Sequence, residues 1–146
     1  MLFALSDEEE MIRETARRLA ADRLHLQQVL LNLIDNALDA MEDMPVRSRR
    51  LMVCTEAQDD DTVRIAVLDN GEGIDPQHSA RLFDSFFTTK SDHLGLGLSM
   101  ARAIVQMHGG EIWGENRPSG GAAFIFTVPV SQKAEAAAHR QRAVTN

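Results

Sequence analysis

Apolar residues fall at helical spacing from Ile12 through Ala16 and Leu19, and the pattern strengthens between Leu24 and Met41. The segment Leu5-Ser6-Asp7-Glu8-Glu9 supplies a helix start, with Ser6 as N-cap and Glu9 completing a capping box. The period then changes. In "RSRRLMVCTEAQDDDTVRIAVLDNGEG" the spacing predicts strands over Leu51 to Glu56 and Val63 to Leu68, with a hairpin turn at Gln58-Asp59-Asp60-Asp61. Gly71, Gly73 and Pro76 break that pattern before a short helix around Ser79 to Phe83 and the loop "SFFTTKSDHLGLG". Leu98 to Met107 reads as a helix that stops at Gly109-Gly110. "EIWGEN" and "AAFIFTVPV" read as two further strands joined by the turn "RPSGG", and the polar, Ala-rich stretch from Ser131 reads as a tail. This order of elements predicts an α+β two-layer sandwich: one mixed sheet with helices on a single face.

The stronger helix carries an anomaly. On a helical wheel Val29, Leu33, Leu26, Ala37, Leu30, Met41, Ile34, Leu38 and Leu31 cover roughly 200° of arc. The remaining stripe collects Gln28, Asn32, Asp35, Asn36 and Asp39, with no lysine or arginine among them. Asn32 and Asn36, four residues apart, share a face. Asparagine is a poor helix former, so two in mid-helix cost stability without an evident structural return. A solvated face is one explanation. The other is a groove of amide and carboxylate oxygens suited to a hard cation such as Mg²⁺, which usually arrives with phosphates.

Two glycine segments could supply the nucleotide. "LDNGEGI" ends a strand with Asp69, and Gly71 and Gly73 let the backbone turn close to a flat ligand. A strand-end carboxylate can accept a hydrogen bond from the exocyclic amine of adenine, although a plain Asn-Gly turn would leave the same trace. "HLGLGLSMARAIVQMHGG" places Gly95 and Gly97 directly before a helix, whose exposed N–H groups favour phosphate oxygens. There is no GxxxxGK[ST] loop, and the dinucleotide fingerprint fails because Met100 stands where its third glycine belongs.

Composition narrows the partners. A chain of 146 residues with 44% apolar and 25% charged residues fits one domain. Its net charge of −7 argues against nucleic acid or an anionic membrane as partner. There is no apolar run of bilayer length and no signal-peptide layout, so a cytoplasmic location is expected. The single cysteine, Cys54, excludes an internal disulfide and a multi-cysteine zinc site, and is expected to be a buried thiol in a strand.

Taken together, the segments resemble the boxes of the ATP-binding catalytic domain of sensor histidine kinases, in the GHKL superfamily with its Bergerat fold. "LQQVLLNLIDNALDAM" resembles the N box, "VLDNGEGI" the G1 box, "LFDSFFTTK" the F box and "GLGLSMARAIVQMHGGEI" the G2 box. The form "FFTTK…GLGLS" is most similar to kinases of nitrogen regulation, oxygen sensing and dicarboxylate sensing. The resemblance implies a catalytic domain over residues 22–130, with an atypical helical segment at 1–21 and a polar tail at 131–146. It implies ATP and Mg²⁺ as cofactors, Asn36 as a metal ligand, and Asn32 assisting at metal and phosphates. By the same resemblance Asp69 reads adenine, Gly71 and Gly73 flank the base, and Gly95, Leu96, Gly97 and Leu98 form the lid segment, with Lys90 at its edge beside the phosphates. Phe86 and Phe87 belong either to the surface that meets the phosphoacceptor helices or to the packing beneath the lid.

Relatives that hydrolyse ATP carry a general-base glutamate four residues before the metal-binding asparagine, and here that position is Asn32, so the resemblance favours γ-phosphoryl transfer. The acceptor histidine is expected on a separate dimerisation domain, leading on to a response regulator, because none of the five histidines here is followed by an acidic residue. A non-catalytic or engineered ATP-binding oligomerisation module and an anti-sigma-factor-type serine kinase are the alternatives. Two features depart from the family. His93 stands where the G2 segment usually has glycine, and "LSDEEEMIRETARRLAAD" replaces the strand and hairpin that usually lead into the N box. Either the sheet has lost an edge strand, or one helix runs from Asp7 to Met41 and presents Ile12, Leu19, Leu26 and Leu33 at heptad spacing; both predict a homo-oligomer through the N-terminal segment.

Overall fold

The computed structural model describes residues 7–59, 61–89 and 95–129, with side chains from residue 23 onward. A single helix, α1 (Asp7–Ala40), spans 34 residues, about 51 Å at 1.5 Å per residue. The N-terminal segment and the N-box segment are therefore one continuous element, while Ser6 and the tail from residue 130 lie outside the described residues. Strands β1 (Leu51–Asp59) and β2 (Thr62–Asp69) follow, then α2 (Gly97–Met107), β3 (Ile112–Asn116) and β4 (Ala122–Pro129). Short 3₁₀ turns occupy Val46–Ser48 and Ser79–Arg81.

The strands form one sheet in the order β1-β2-β4-β3, and the fold is the expected α+β layering. All three ladders among the described residues are antiparallel, where a mixed sheet was expected. The reason is connectivity: β1–β2 and β3–β4 are joined by tight turns, which force antiparallel neighbours, and β4 lies antiparallel beside β2 between the two hairpins. Strand β2 alternates as a half-buried strand should, with Ile65, Val67 and Asp69 inward and Arg64, Ala66 and Leu68 on the other face. The core joins Val29, Leu33 and Ala37 of α1 to Ile65 and Val67 of β2, Ala101 and Val105 of α2, and Phe124 and Phe126 of β4.

Three expectations need correction. The apolar arc of α1 is narrower than the wheel indicated: Leu26, Leu30 and Ile34 pack against the core, but Leu31 and Leu38 are exposed. The heptad set also fails as an outward seam, because Leu33 is fully buried and Leu26 packs on the core; Ile12 and Leu19 lie among residues whose side chains are not described. Cys54 is exposed, because every residue of the edge strand β1 is exposed. A strand's alternation says which residues share a face, not whether anything covers that face. No helix among the described residues is long and apolar enough to cross a membrane.

Candidate active site

A cavity of about 1020 Å³ opens between α1, the end of β2 and the start of α2. Its lining brings together Asn32, Asp35, Asn36 and Asp39 from α1, Asp69 from β2, and Gly73, Gly95, Leu96, Gly97 and Leu98 from the glycine segments. Four of the five residues of the polar stripe of α1 therefore wall the cavity, while Gln28 lies outside its lining and bonds to Asn32. Gly71 sits just behind it, packed so tightly on α1 that a β-carbon would meet the Ala40 carbonyl oxygen, while the Glu72 N–H donates to that same oxygen at 3.2 Å. Lys90 and His93 lie outside the described residues.

Asp69 is fully buried at the end of β2. Its Oδ1 accepts hydrogen bonds from the Gly71 N–H at 2.8 Å and the Ala122 N–H at 3.2 Å. Its Oδ2 is equally buried and has no partner among the described residues. An unsatisfied buried acceptor costs roughly 1–3 kcal/mol, more when charged, and this one belongs to a residue that lines the cavity. The surrounding loop is held independently: Asn116 at the end of β3 accepts from the Ile74 N–H at 2.7 Å and donates to the Ile74 carbonyl at 2.9 Å. Arg117 Nη1 donates to the Asp69 carbonyl oxygen at 2.7 Å. Neither Asn116 nor Arg117 stood out in the sequence, since a strand-end amide gives no sign of a partner 42 residues away.

The two asparagines differ. Asn32 is already bonded, accepting from Gln28 at 2.9 Å and donating to the Gly97 carbonyl at 3.1 Å, which ties α1 to the first turn of α2. Asn36 has no such bond to any described residue and faces the same cavity as Asp35 and Asp39. This all-oxygen wall contains no cluster of three or more His, Cys, Asp or Glu among the described residues. It fits a cation that takes one or two protein oxygens and completes its shell with phosphate and water, as Mg²⁺ does, rather than a caged structural metal.

At the far wall, the N-cap of α2 is Leu96, which makes no side-chain cap. The first N–H groups of the helix are thus left to the cavity, at the positive end of its dipole. Gly95 has φ of +71° and lies against the backbone of Phe86 and Phe87. Gly97 is different: a β-carbon there would meet nothing within 4 Å, so the fold itself does not demand glycine. The two phenylalanines separate. Phe86 is 72% exposed and is held at φ of +66°, with its N–H bonded to the Gly95 carbonyl at 3.0 Å. Phe87 turns inward to line the cavity, with the Arg81 guanidinium 4.6 Å from its ring centroid and His78 edge-on at 5.4 Å. A smaller hollow of about 480 Å³ lies among outward residues of the sheet, including Cys54, Arg64 and Ala66, and shares none of these groups.

Fold and cavity define an ATP-binding domain of the histidine kinase type. The nucleotide-free catalytic domain of the histidine kinase ThkA superposes with a TM-score of 0.64 at 38% identity, over 74% of this chain and 68% of that one. The same kinase in complex with the response regulator protein TrrA gives a TM-score of 0.60 at 37% identity, over 74% of this chain and 29% of that one. Residues 21–132 match the family described as histidine kinase-, DNA gyrase B-, and HSP90-like ATPase, and the chain belongs to it. Among its relatives is the sensor protein FixL of Bradyrhizobium diazoefficiens, 43% identical over 113 residues, which are 77% of this chain and 22% of that protein. The chain thus spans less than a quarter of that relative's length.

Proposed function

We propose that residues 22–130 bind Mg-ATP in the cavity and serve as the catalytic domain of a protein-histidine kinase. The γ-phosphoryl group is transferred to a histidine on a separate phosphoacceptor domain, and from there to a response regulator. The observation that carries the reading is the buried, unpartnered Oδ2 of Asp69, a residue that lines the same cavity as Asn36 and the start of α2, whose N-cap makes no side-chain cap. In this reading the Asp69 Oδ2 accepts the adenine amine and Gly73, on the cavity lining, admits the flat ring, while Gly71 lets the turn pack against the Ala40 carbonyl behind it. Gly95, Leu96, Gly97 and Leu98 enclose the phosphates, and the lysine at position 90, outside the described residues, supplies a cation for them. Asn36 would hold Mg²⁺, which supplies charge neutralisation on the triphosphate.

The chain's own part in the chemistry is positioning. Neither amide of the Asn pair can take a proton at neutral pH, so no general base for water comes from Asn32 or Asn36. The acceptor imidazole nitrogen forms the new P–N bond as the bond from the γ-phosphorus to the ADP oxygen breaks. Phe86, exposed on a left-handed backbone next to the cavity-lining Phe87, is the contact offered to the acceptor domain, while Phe87 lines the cavity. The test is direct: incubate the chain with γ-labelled ATP, Mg²⁺ and a phosphoacceptor domain from a related kinase. Acid-labile label on that domain is the expected result. Saturable nucleotide binding without transfer to any acceptor would overturn the kinase reading and leave a binding module.

A further inference from the structure

The Asp69 end of the cavity is held by a turn whose first two residues do not line it. Asn116 and Arg117 stand where β3 runs into the turn toward β4, and neither belongs to the cavity lining. Asn116 holds Ile74 as a neighbouring strand would: its Oδ1 accepts from the Ile74 N–H at 2.7 Å and its Nδ2 donates to the Ile74 carbonyl at 2.9 Å. Ile74 and Gly73 both line the cavity. Gly73, at φ of +80°, backs directly on this amide, since a β-carbon there would stand 2.8 Å from Asn116 Oδ1. Close packing therefore stops the Gly73 backbone from receding while Asn116 is in place.

The next residue acts on Asp69. Arg117 Nη1 donates to the Asp69 carbonyl at 2.7 Å, across 48 positions of chain. The turn that presents it is closed on itself. The Arg117 N–H donates to the Gly121 carbonyl at 2.9 Å and the Gly120 N–H to the Arg117 carbonyl at 3.0 Å. Gly121 packs so closely on Asp69 that a β-carbon would overlap the Asp69 carbonyl oxygen. The Ala122 N–H, next in the chain, donates to Asp69 Oδ1 at 3.2 Å. One turn thus grips both the main chain and the carboxylate of Asp69, which leaves Oδ2 little freedom to swing.

We infer that Asn116 and Arg117 are positioning residues that set the preference of the cavity for adenine over guanine. Neither would touch the nucleotide. Asn116 acts through Ile74 and Gly73, which fix the surface on which the ring lies. Arg117 acts through Asp69, whose carboxylate reads the exocyclic amine. A lone acceptor discriminates between bases only while it is held in place, because a carboxylate free to shift can accept from the N1–H and N2–H donors of guanine instead. The inference rests on the adenine reading of Asp69 given above, and adds the residues that make that reading selective.

The test is isothermal titration of non-hydrolysable ATP and GTP analogues, with Mg²⁺, into the wild type, Asn116→Ala and Arg117→Ala. The wild type should prefer the adenine analogue. Each variant should lose about three- to tenfold of that preference, as for one or two hydrogen bonds, chiefly through weaker binding of the ATP analogue. Asn116 is exposed, so Asn116→Ala should keep the wild-type far-UV circular dichroism and melt within about 5 °C of it. It decides the matter even where the half-buried Arg117 cannot be replaced without loss of the fold. A turn that only supported the fold would weaken both analogues together. An unchanged ratio in folded Asn116→Ala would therefore overturn the proposal and leave the adenine reading standing, whereas a wild type without adenine preference would overturn both.

Discussion

Replacing Asp69 with asparagine separates binding from folding. The side chain keeps its shape and its Oδ1, so the hydrogen bonds from the Gly71 and Ala122 N–H groups at 2.8 and 3.2 Å can persist. What changes is the second position, where a buried acceptor without a partner becomes an amide donor. If that position accepts the adenine amine, the substitution removes a hydrogen bond to a charged group, worth about 1.5–3 kcal/mol, and sets two donors against each other. At 1.4 kcal/mol per tenfold, ATP affinity should fall by roughly 10- to 150-fold or more. Stability should move the other way or stay level, since a buried unpaired carboxylate oxygen is replaced by a neutral group. Isothermal titration with a non-hydrolysable ATP analogue, beside thermal unfolding of the same samples, measures both. An affinity unchanged within about twofold while the fold is intact would refute the adenine contact. A parallel collapse of affinity and melting temperature would show that Oδ2 has a structural role instead.

Gly97→Ala tests whether glycine is there for the ligand: alanine is the better helix former by about 1 kcal/mol and its methyl meets nothing in the fold, so the melting temperature should hold or rise while nucleotide affinity drops severalfold. Equal affinity would mean that phosphates do not approach this turn. Phe86→Gly relieves a non-glycine residue from the left-handed region, a cost of about 1 kcal/mol, so stability should not suffer. ATP binding should be unchanged, but phosphoryl transfer to an acceptor domain in trans should fall at least about tenfold, as for loss of an exposed aromatic anchor; undiminished transfer would exclude Phe86 from docking.

Much of this was legible because two residue periods were clean. The 3.6 spacing of Val29, Leu33 and Ala37 located the core side of α1, and the strand pattern of β2 located a carboxylate, Asp69, at its end, which the structure buries. The polar stripe was legible as an oddity, and the structure makes all of it but Gln28 a cavity wall. What stayed hidden depended on contacts between segments distant in the chain. The exposure of Leu31, Leu38 and the whole of β1 reflects what does not cover them, which no local pattern records. The antiparallel pairing of β2 with β4, the clamp from Asn116 to the Ile74 backbone, and the opposite fates of Phe86 and Phe87 likewise arise only when the chain is folded.

The central claim is that a triphosphate and a divalent ion meet at Asn36 in the cavity beside Asp69. Titrating the ATP analogue into the wild type and Asn36→Ala, each with and without Mg²⁺, tests it directly. The wild type should bind more tightly with Mg²⁺, and Asn36→Ala should lose most of that gain while keeping its metal-free affinity. A wild type indifferent to Mg²⁺, or an Asn36→Ala variant that retains the full metal-dependent gain, would contradict the account.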